Sequence, residues 1–261
     1  MKIYEQAKMK IGLVQYSPEW ENPEKNIIKI DSMINSSKEK FDLLIFPEMT
    51  LTGFTMQSGK FAEEIDGICT KYFMELARRI RTNIFAGIIE RDRENIFNSL
   101  FHFDPDGLIN ARYRKIHPYS HATEDKFYNA GNELVVTQIE HKKIGLTICY
   151  DLRFPELYRL YVKQDVFMAV DIANWPVQRI DHWKTLLKAR AIENQCFVAG
   201  VNRVGKDPFN EYCGCSALFD PMGKEIVLVH DEEKIISAEI DHEMTSKTRL
   251  KLPFLQDMRL I

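Results

Sequence analysis

Leu146-Thr147-Ile148-Cys149-Tyr150-Asp151-Leu152-Arg153-Phe154-Pro155-Glu156 passes from an apolar run to a thiol and then to a helix-starting Asp/Pro/Glu cluster. The run reads as a strand that turns directly into a helix. A side chain on such a turn projects from the end of a sheet, where it can meet a substrate beside backbone N–H groups that stabilise an oxyanion. A lone cysteine is more often a buried structural residue. Here the surrounding pattern points the other way.

Outward from that turn, apolar runs alternate with amphipathic helical stretches. Lys10 to Gln15 reads as a first strand, and Asn22-Pro23 starts a helix whose Ile27, Ile30, Met33 and Ile34 recur at helical spacing. Asp42-Leu43-Leu44-Ile45-Phe46 is a short apolar strand of the kind covered on both faces. A helix through Ile68, Phe73, Leu76 and Ile80 precedes another buried strand at Ile84 to Ile89. Two hairpins follow the same recipe, turning at Asp104-Pro105-Asp106-Gly107 and at Asp220-Pro221-Met222-Gly223. Each half thus runs strand, helix, strand, helix, strand, hairpin. The expected fold is α/β: a four-layer α-β-β-α sandwich with two mixed sheets and internal pseudo-symmetry, not one open Rossmann sheet. No Pro/Ser-rich linker divides the chain, so residues 1–261 are expected to form one domain. Asp181 to Gln195 reads as a strong helix with Asp181 as its N-cap.

Composition bounds the function. The chain has 261 residues, is 45% hydrophobic and 28% charged, and carries a formal net charge of −3. That charge, with no long Lys/Arg block, argues against a nucleic-acid partner. No run approaches the ~18 apolar residues of a membrane span, and Met1 to Lys10 lacks the apolar core of a signal peptide. Five cysteines without paired spacing suit a reducing cytoplasm. Cys213-Gly214-Cys215 suggests a metal, yet no second Cys/His pair has ligand spacing, and no metal is expected. No Gly-rich phosphate loop follows a strand, so a nucleotide cofactor has no seat.

Two more polar residues stand where a sheet presents its strand ends. Glu48 closes Leu43-Leu44-Ile45-Phe46-Pro47-Glu48, and Lys115 ends Ala111-Arg112-Tyr113-Arg114-Lys115. Taken singly, each reads as a solvated charge. With Cys149 they supply the parts for acyl transfer without histidine. The thiolate is the nucleophile, and a carboxylate of raised pKa can take its proton. An ammonium and a backbone N–H can hold the negative oxygen that develops on an amide carbonyl.

Pro47-Glu48 with Gly53-Phe54, Tyr113-Arg114-Lys115-Ile116-His117, and Cys149 through Glu156 resemble, in order, the Glu, Lys and Cys motifs of the nitrilase superfamily of carbon–nitrogen hydrolases. Ala173-Asn174-Trp175-Pro176, Arg190-Ala191-Ile192-Glu193-Asn194-Gln195 and Asn202-Arg203-Val204-Gly205 are also similar to family segments, so the resemblance spans nearly the whole chain. It most resembles the ω-amidase group. That resemblance implies a cysteine-dependent amidase converting 2-oxoglutaramate or 2-oxosuccinamate to the oxo-diacid and ammonia. Cys149 is then the nucleophile, Glu48 the base, and Lys115 with the backbone N–H of Tyr150 the oxyanion holders. Ala122-Thr123-Glu124 is similar to the loop bearing the family's second carboxylate, which makes Glu124 a positioning candidate.

The resemblance implies a small-molecule amide substrate, no cofactor, and a homodimer packed through helices such as Asp181 to Gln195. Leu252 to Asp257 resembles the family's closing segment, with apolar content suited to docking on a partner or on the body. Arg153 is a candidate partner for a substrate carboxylate, the alternative being Glu156 on its own helix. Trp175 either walls the pocket or serves as a core or interface aromatic. His117-Pro118-Tyr119-Ser120 departs from the family's commoner His-Leu-Phe-like segment, which leaves the substrate open: a deaminated peptide amide or an N-carbamoyl compound is an alternative. A papain-like pairing of Cys149 with His117 or His182 lacks its signature. A silent binding subunit remains the alternative of another class.

Overall fold

Lys10-Ile11-Gly12-Leu13 and Lys143-Ile144-Gly145-Leu146 are the same tetrapeptide, and each lies in a strand of a different sheet. The computed structural model describes residues 8–260, so most of the N-terminal stretch considered above lies outside the described residues. The first sheet has six strands in the order β13 (Lys234–Asp241), β1 (Lys8–Gln15), β2 (Leu43–Ile45), β3 (Asn83–Asp92), β4 (Asn95–Phe103) and β5 (Ile109–Arg114). β1, β2 and β3 are parallel and their outer neighbours antiparallel.

The second sheet repeats that plan. β6 (Val136–Ile139), β7 (Lys142–Ile148), β8 (Met168–Ala173), β9 (Phe197–Asn202) and β11 (Glu211–Phe219) follow in order, with β10 (Val204–Lys206) and β12 (Glu225–His230) both pairing β11. Here β7, β8 and β9 form the parallel core. Both sheets are mixed, as the alternating pattern predicts.

Burial on both faces explains the near-continuous apolar strands. Leu13, Ile45, Phe85 and Leu100 of the first sheet meet Leu146, Ile148, Val170 and Ala199 of the second in one central core. α1 (Pro23–Ser36) and α3 (Ile68–Ile80) cover the first sheet's outer face through Ile30, Phe73 and Leu76. α4 (Pro155–Lys163) and α5 (Ile180–Asn194) cover the second through Leu157, Trp183 and Leu187. The order of layers is therefore helix, sheet, sheet, helix. Each such fully buried aliphatic or aromatic side chain contributes about 1.5–3 kcal/mol. The short α2 (Ser58–Phe61) follows the Glu48 loop, and α6 (Glu243–Lys251) follows β13.

Local chemistry sets the ends of these elements. Asn22 Oδ1 accepts from the Lys25 N–H (3.1 Å) and Pro23 opens α1. In both hairpins the Asp Oδ1 accepts two backbone N–H groups: Asp104 from Asp106 and Leu108, Asp220 from Met222 and Lys224. Asp181 does not cap α5. A short 3₁₀ turn, Val177–Arg179, runs straight into the helix and shifts its start to Ile180, leaving Asp181 inside the first turn and paired with Lys184 at 2.8 Å. His102 of β4 bridges the sheets, its Nδ1 lying 2.6 Å from Thr137 Oγ1 of β6.

Candidate active site

Glu48 leaves β2 through Pro47 and enters a turn fastened to β3. The Thr50 N–H donates to Gly87 O (2.9 Å), the Gly87 N–H to Thr50 Oγ1 (3.0 Å), and the Thr50 hydroxyl to Pro47 O (2.7 Å). A Cβ on Gly87 would stand 2.4 Å from Met49 N and 2.8 Å from Glu48 Cα. Only glycine permits that approach. Lys115, just past β5, is held by its own N–H on Asn98 O (2.8 Å).

These two residues and Glu124 form one buried polar cluster. Lys115 Nζ donates to Glu48 Oε1 (2.9 Å) and to Glu124 Oε2 (2.8 Å). Asn98 Nδ2 donates to both carboxylates, at 2.7 Å to Glu48 and 2.9 Å to Glu124. The Asn174 N–H, at the end of β8, donates to Glu48 Oε2 (2.9 Å), and the Tyr119 N–H donates to Glu124 Oε2 (2.6 Å). Glu48 and Glu124 are wholly buried and Lys115 is 1% exposed. Two carboxylates thus share one ammonium and several fixed donors in a dry setting.

The electrostatics follow from that crowding. Burial would push the Lys115 ammonium down, but the Glu124 and Glu48 carboxylates outweigh it and raise it well above the usual lysine range. Burial pushes the Glu124 carboxyl up, with Lys115 opposing and Glu48 adding to the rise. The Cys149 thiol is raised well above its ordinary value by burial and by Glu48, against the pull of Lys115.

Cys149 sits where the sequence reading places it, on the turn after β7, with φ of 51°. A non-glycine residue in that left-handed region stores roughly 1–3 kcal/mol of strain. Several anchors hold it there. Its N–H donates to Asp171 Oδ1 (2.9 Å), while Asp171 Oδ2 accepts from Thr147 (2.7 Å) and Tyr158 (3.1 Å) hydroxyls. Asp151 accepts from the Ile148 N–H (3.0 Å), the His117 N–H (3.0 Å) and the Tyr113 hydroxyl (2.7 Å). Arg190 of α5 donates from Nη2 to Leu152 O (2.7 Å). Tyr150 occupies the first turn of the 3₁₀ segment Cys149–Arg153, where an N–H has no acceptor within the helix.

Cys149 and Lys115 open into a cavity of about 220 Å³, walled by Tyr119, Trp175, Arg153 and Arg179 among others. Trp175 is both a wall and a core residue, 3% exposed and 5.4 Å from the Trp183 ring. Arg153 has its guanidinium carbon 4.7 Å from the Trp175 ring and its nitrogens 3.4 Å from His182 Nδ1; Glu156 is not its partner. His117 stacks on Phe154 at 3.7 Å and places Nδ1 2.7 Å from Asp151, so its ring is engaged by those two residues. Of the segment His117-Pro118-Tyr119-Ser120, Tyr119 lines the cavity.

Four contributors escaped the sequence reading: Asn98, Asp171, Arg179, and Asn174 as a ligand of Glu48. Asn98 and Asp171 had one signal, a polar residue inside a buried strand, which needs a partner. Arg179 had none, because only the fold turns its short 3₁₀ segment toward Cys149.

The family model for carbon-nitrogen hydrolases matches residues 10–250. The 2-oxoglutaramate amidase of Bacillus subtilis (strain 168) is 34% identical over 254 residues, 97% of this chain and 98% of that protein. The omega-amidase YafV of Yersinia enterocolitica is 34% identical over 93% of this chain and 92% of its own length. Among solved structures, the CN-hydrolase superfamily protein XC1258 of Xanthomonas campestris, which carries an arsenic adduct in its active site, superposes with a TM-score of 0.93. It is 33% identical, with 97% of this chain and 98% of that chain covered.

Proposed function

The chain belongs to the carbon-nitrogen hydrolase family, and from that premise we propose that it hydrolyses the terminal amide of a short 2-oxo acid, 2-oxoglutaramate or 2-oxosuccinamate, to the oxo-diacid and ammonia. The observation that carries this reading is the buried Glu48–Lys115–Glu124 cluster opening, with Cys149, into a small cavity that also holds two guanidinium groups. Relatives described as 2-oxoglutaramate amidase and omega-amidase, aligned over nearly their whole length, support the substrate class.

The reaction runs on the chain's own side chains. Cys149 Sγ attacks the amide carbon as its proton passes to Glu48, and the carbonyl oxygen takes the electron pair. Lys115 Nζ and the Tyr150 N–H hold that oxyanion. When the tetrahedral species collapses, the C–N bond breaks and Glu48 returns the proton to the departing ammonia. Glu48 then takes a proton from water, whose hydroxide attacks the thioester; the second collapse frees the acid and restores the thiol. Glu124 acts as a positioning residue, fixing Lys115 through a second carboxylate beside Glu48. A raised thiol suits this scheme, since the proton leaves only as the nucleophile attacks.

Arg153 supplies the contact for the substrate carboxylate, and Trp175 stiffens it from below. A homodimer fits the exposed apolar Ile192, Leu250 and Phe254 near the end of α5 and the chain's closing segment. A reducing, cytoplasmic setting fits five cysteines that are all free. Among the described residues, no helix is long and apolar enough to cross a membrane.

Ammonia release from a panel of acidic and neutral short amides tests the substrate. Arg153→Ala is expected to slow the acidic amides by about 10- to 100-fold, the worth of a hydrogen bond to a charged group, and to spare the neutral ones. Equal slowing of both classes would show that Arg153 does not read a carboxylate.

A further inference from the structure

The hairpin of β11 and β12 gathers three metal-competent side chains, none of which lines the cavity. Cys213 and Cys215 lie on β11, and His230 ends β12. Their ligand atoms all lie within 4.8 Å of one another. Cys213 Sγ is 3.9 Å from Cys215 Sγ, which is 3.2 Å from His230 Nδ1 and 3.5 Å from Nε2. Spacing along the chain set the Cys-Gly-Cys pair aside for want of a second pair; the hairpin supplies the third group instead.

A tetrahedral zinc ion with Zn–S near 2.3 Å and Zn–N near 2.0–2.1 Å has edges of roughly 3.8 Å between sulfurs and roughly 3.5 Å between sulfur and nitrogen. The separation between the sulfurs and that from Cys215 Sγ to His230 Nε2 match those edges, and the remaining edge, Cys213 to His230, lies within 4.8 Å. The backbone is shaped for it. Gly214 and Cys215 both adopt positive φ (70° and 58°), at a bulge where the β11–β12 register shifts between Gly214 and Ser216. A Cβ on Gly214 would lie 2.3 Å from the Gln15 amide, so glycine is required there. Both sulfurs are buried, whereas His230 is exposed, which leaves solvent to complete the shell.

We propose that Cys213, Cys215 and His230 bind one thiophilic divalent cation of the zinc type through two thiolates, one imidazole and one solvent oxygen. Binding releases the two thiol protons and forms two metal–sulfur bonds, with no change of oxidation state. The cation braces the bulge, whose Cys215 carbonyl accepts from Trp183 Nε1 (2.8 Å). Trp183 in turn packs on Trp175 of the cavity wall. The role is structural, at one remove from the chemistry.

Titrating Co²⁺ into the reduced, full-length Cys149→Ala chain tests the site without counting the active-site thiol. The expected result is one equivalent bound, with thiolate-to-cobalt charge-transfer bands and intense tetrahedral d–d bands, all displaced by Zn²⁺. Cys215→Ser should abolish the charge transfer; bands that survive it overturn the proposal. His230→Ala, at an exposed position that leaves folding intact, should weaken binding by about tenfold or more. Unchanged affinity in that variant, or no charge transfer in the parent, also overturns it.

Discussion

Lys10 to Tyr16 and Lys143 to Cys149 begin with the same four residues and occupy matching strands, yet only the second ends in chemistry. In the first half, Val14 and Phe46 pack in the outer core, and the chain then buries Tyr16, whose hydroxyl donates to Thr50 O. At the matching places of the second half, Thr147 faces Asp171 across the β7–β8 ladder, and Asp171 grips the Cys149 N–H. An apolar pair gives way to a polar one, and an aromatic plug to a thiol. The same topology therefore makes a buttress on one side and a reactive end on the other. The two are linked, because Tyr16 props the turn that carries Glu48.

The largest expected effects break that asymmetry at its reactive end. Cys149→Ala should lower the rate of ammonia release by at least about 10⁴-fold, as loss of a nucleophile does. Glu48→Gln should cost about 10²–10⁴-fold, the usual worth of a general base. The thiol gives Glu48 a second readout of opposite sign. Glu48 helps hold the Cys149 thiol up, so removing its charge lowers that pKa and speeds alkylation by iodoacetamide at pH 8 while amidase activity collapses. Parallel losses in both assays would mean that Glu48 acts on the fold instead. The raised thiol also has a linkage consequence. Its stabilising share is complete below the unfolded-state value near 9 and is lost as pH climbs through the higher folded value, so the native chain should weaken in alkali more than Cys149→Ala.

What the sequence made legible divides along the same line. Cys149, Glu48 and Lys115 each end an apolar strand, and a charge or thiol at that place is visible as a break in pattern. The Asp-Pro-x-Gly turns and the Asn22 cap are equally local, since Asx side chains bind backbone groups two to four residues away. Asn98 and Asn174 act on Glu48 across 50 and 126 residues, and no local period encodes such a meeting. Asp181 shows the reverse failure. It has the right chemistry for a cap, but Trp175-Pro176 and the 3₁₀ turn after it begin the helix early.

Between the two halves lies a pair of neutral groups, and acid should find it. Burial holds His102 down at about 4, against an ordinary 6.5, so the ring bridging to Thr137 is uncharged. The sign is that of a depressed base: stability is complete above 6.5 and falls as pH drops from there toward 4, where only the unfolded chain accepts the proton freely. The full loss is about 3 kcal/mol. Urea unfolding between pH 7 and 4 should show that slope, and His102→Gln should flatten it. An unchanged slope would assign the acid sensitivity to the carboxylates.

The smallest effect tests the buttress. Tyr16 is wholly buried, and burial pushes its hydroxyl well above the usual range, so at every working pH it is a neutral donor to Thr50 O. Tyr16→Phe keeps the ring in the outer core and deletes only the donor. The Thr50 carbonyl is then left without that partner, which costs about 1–3 kcal/mol of unfolding free energy. The Glu48 turn retains its ties to Gly87 and Pro47, so kcat should stay within a few-fold of the parent while the midpoint of thermal unfolding drops. If instead kcat fell as far as it does in Glu48→Gln with stability unchanged, the matching strand end of the first half would be part of the chemistry and not its support.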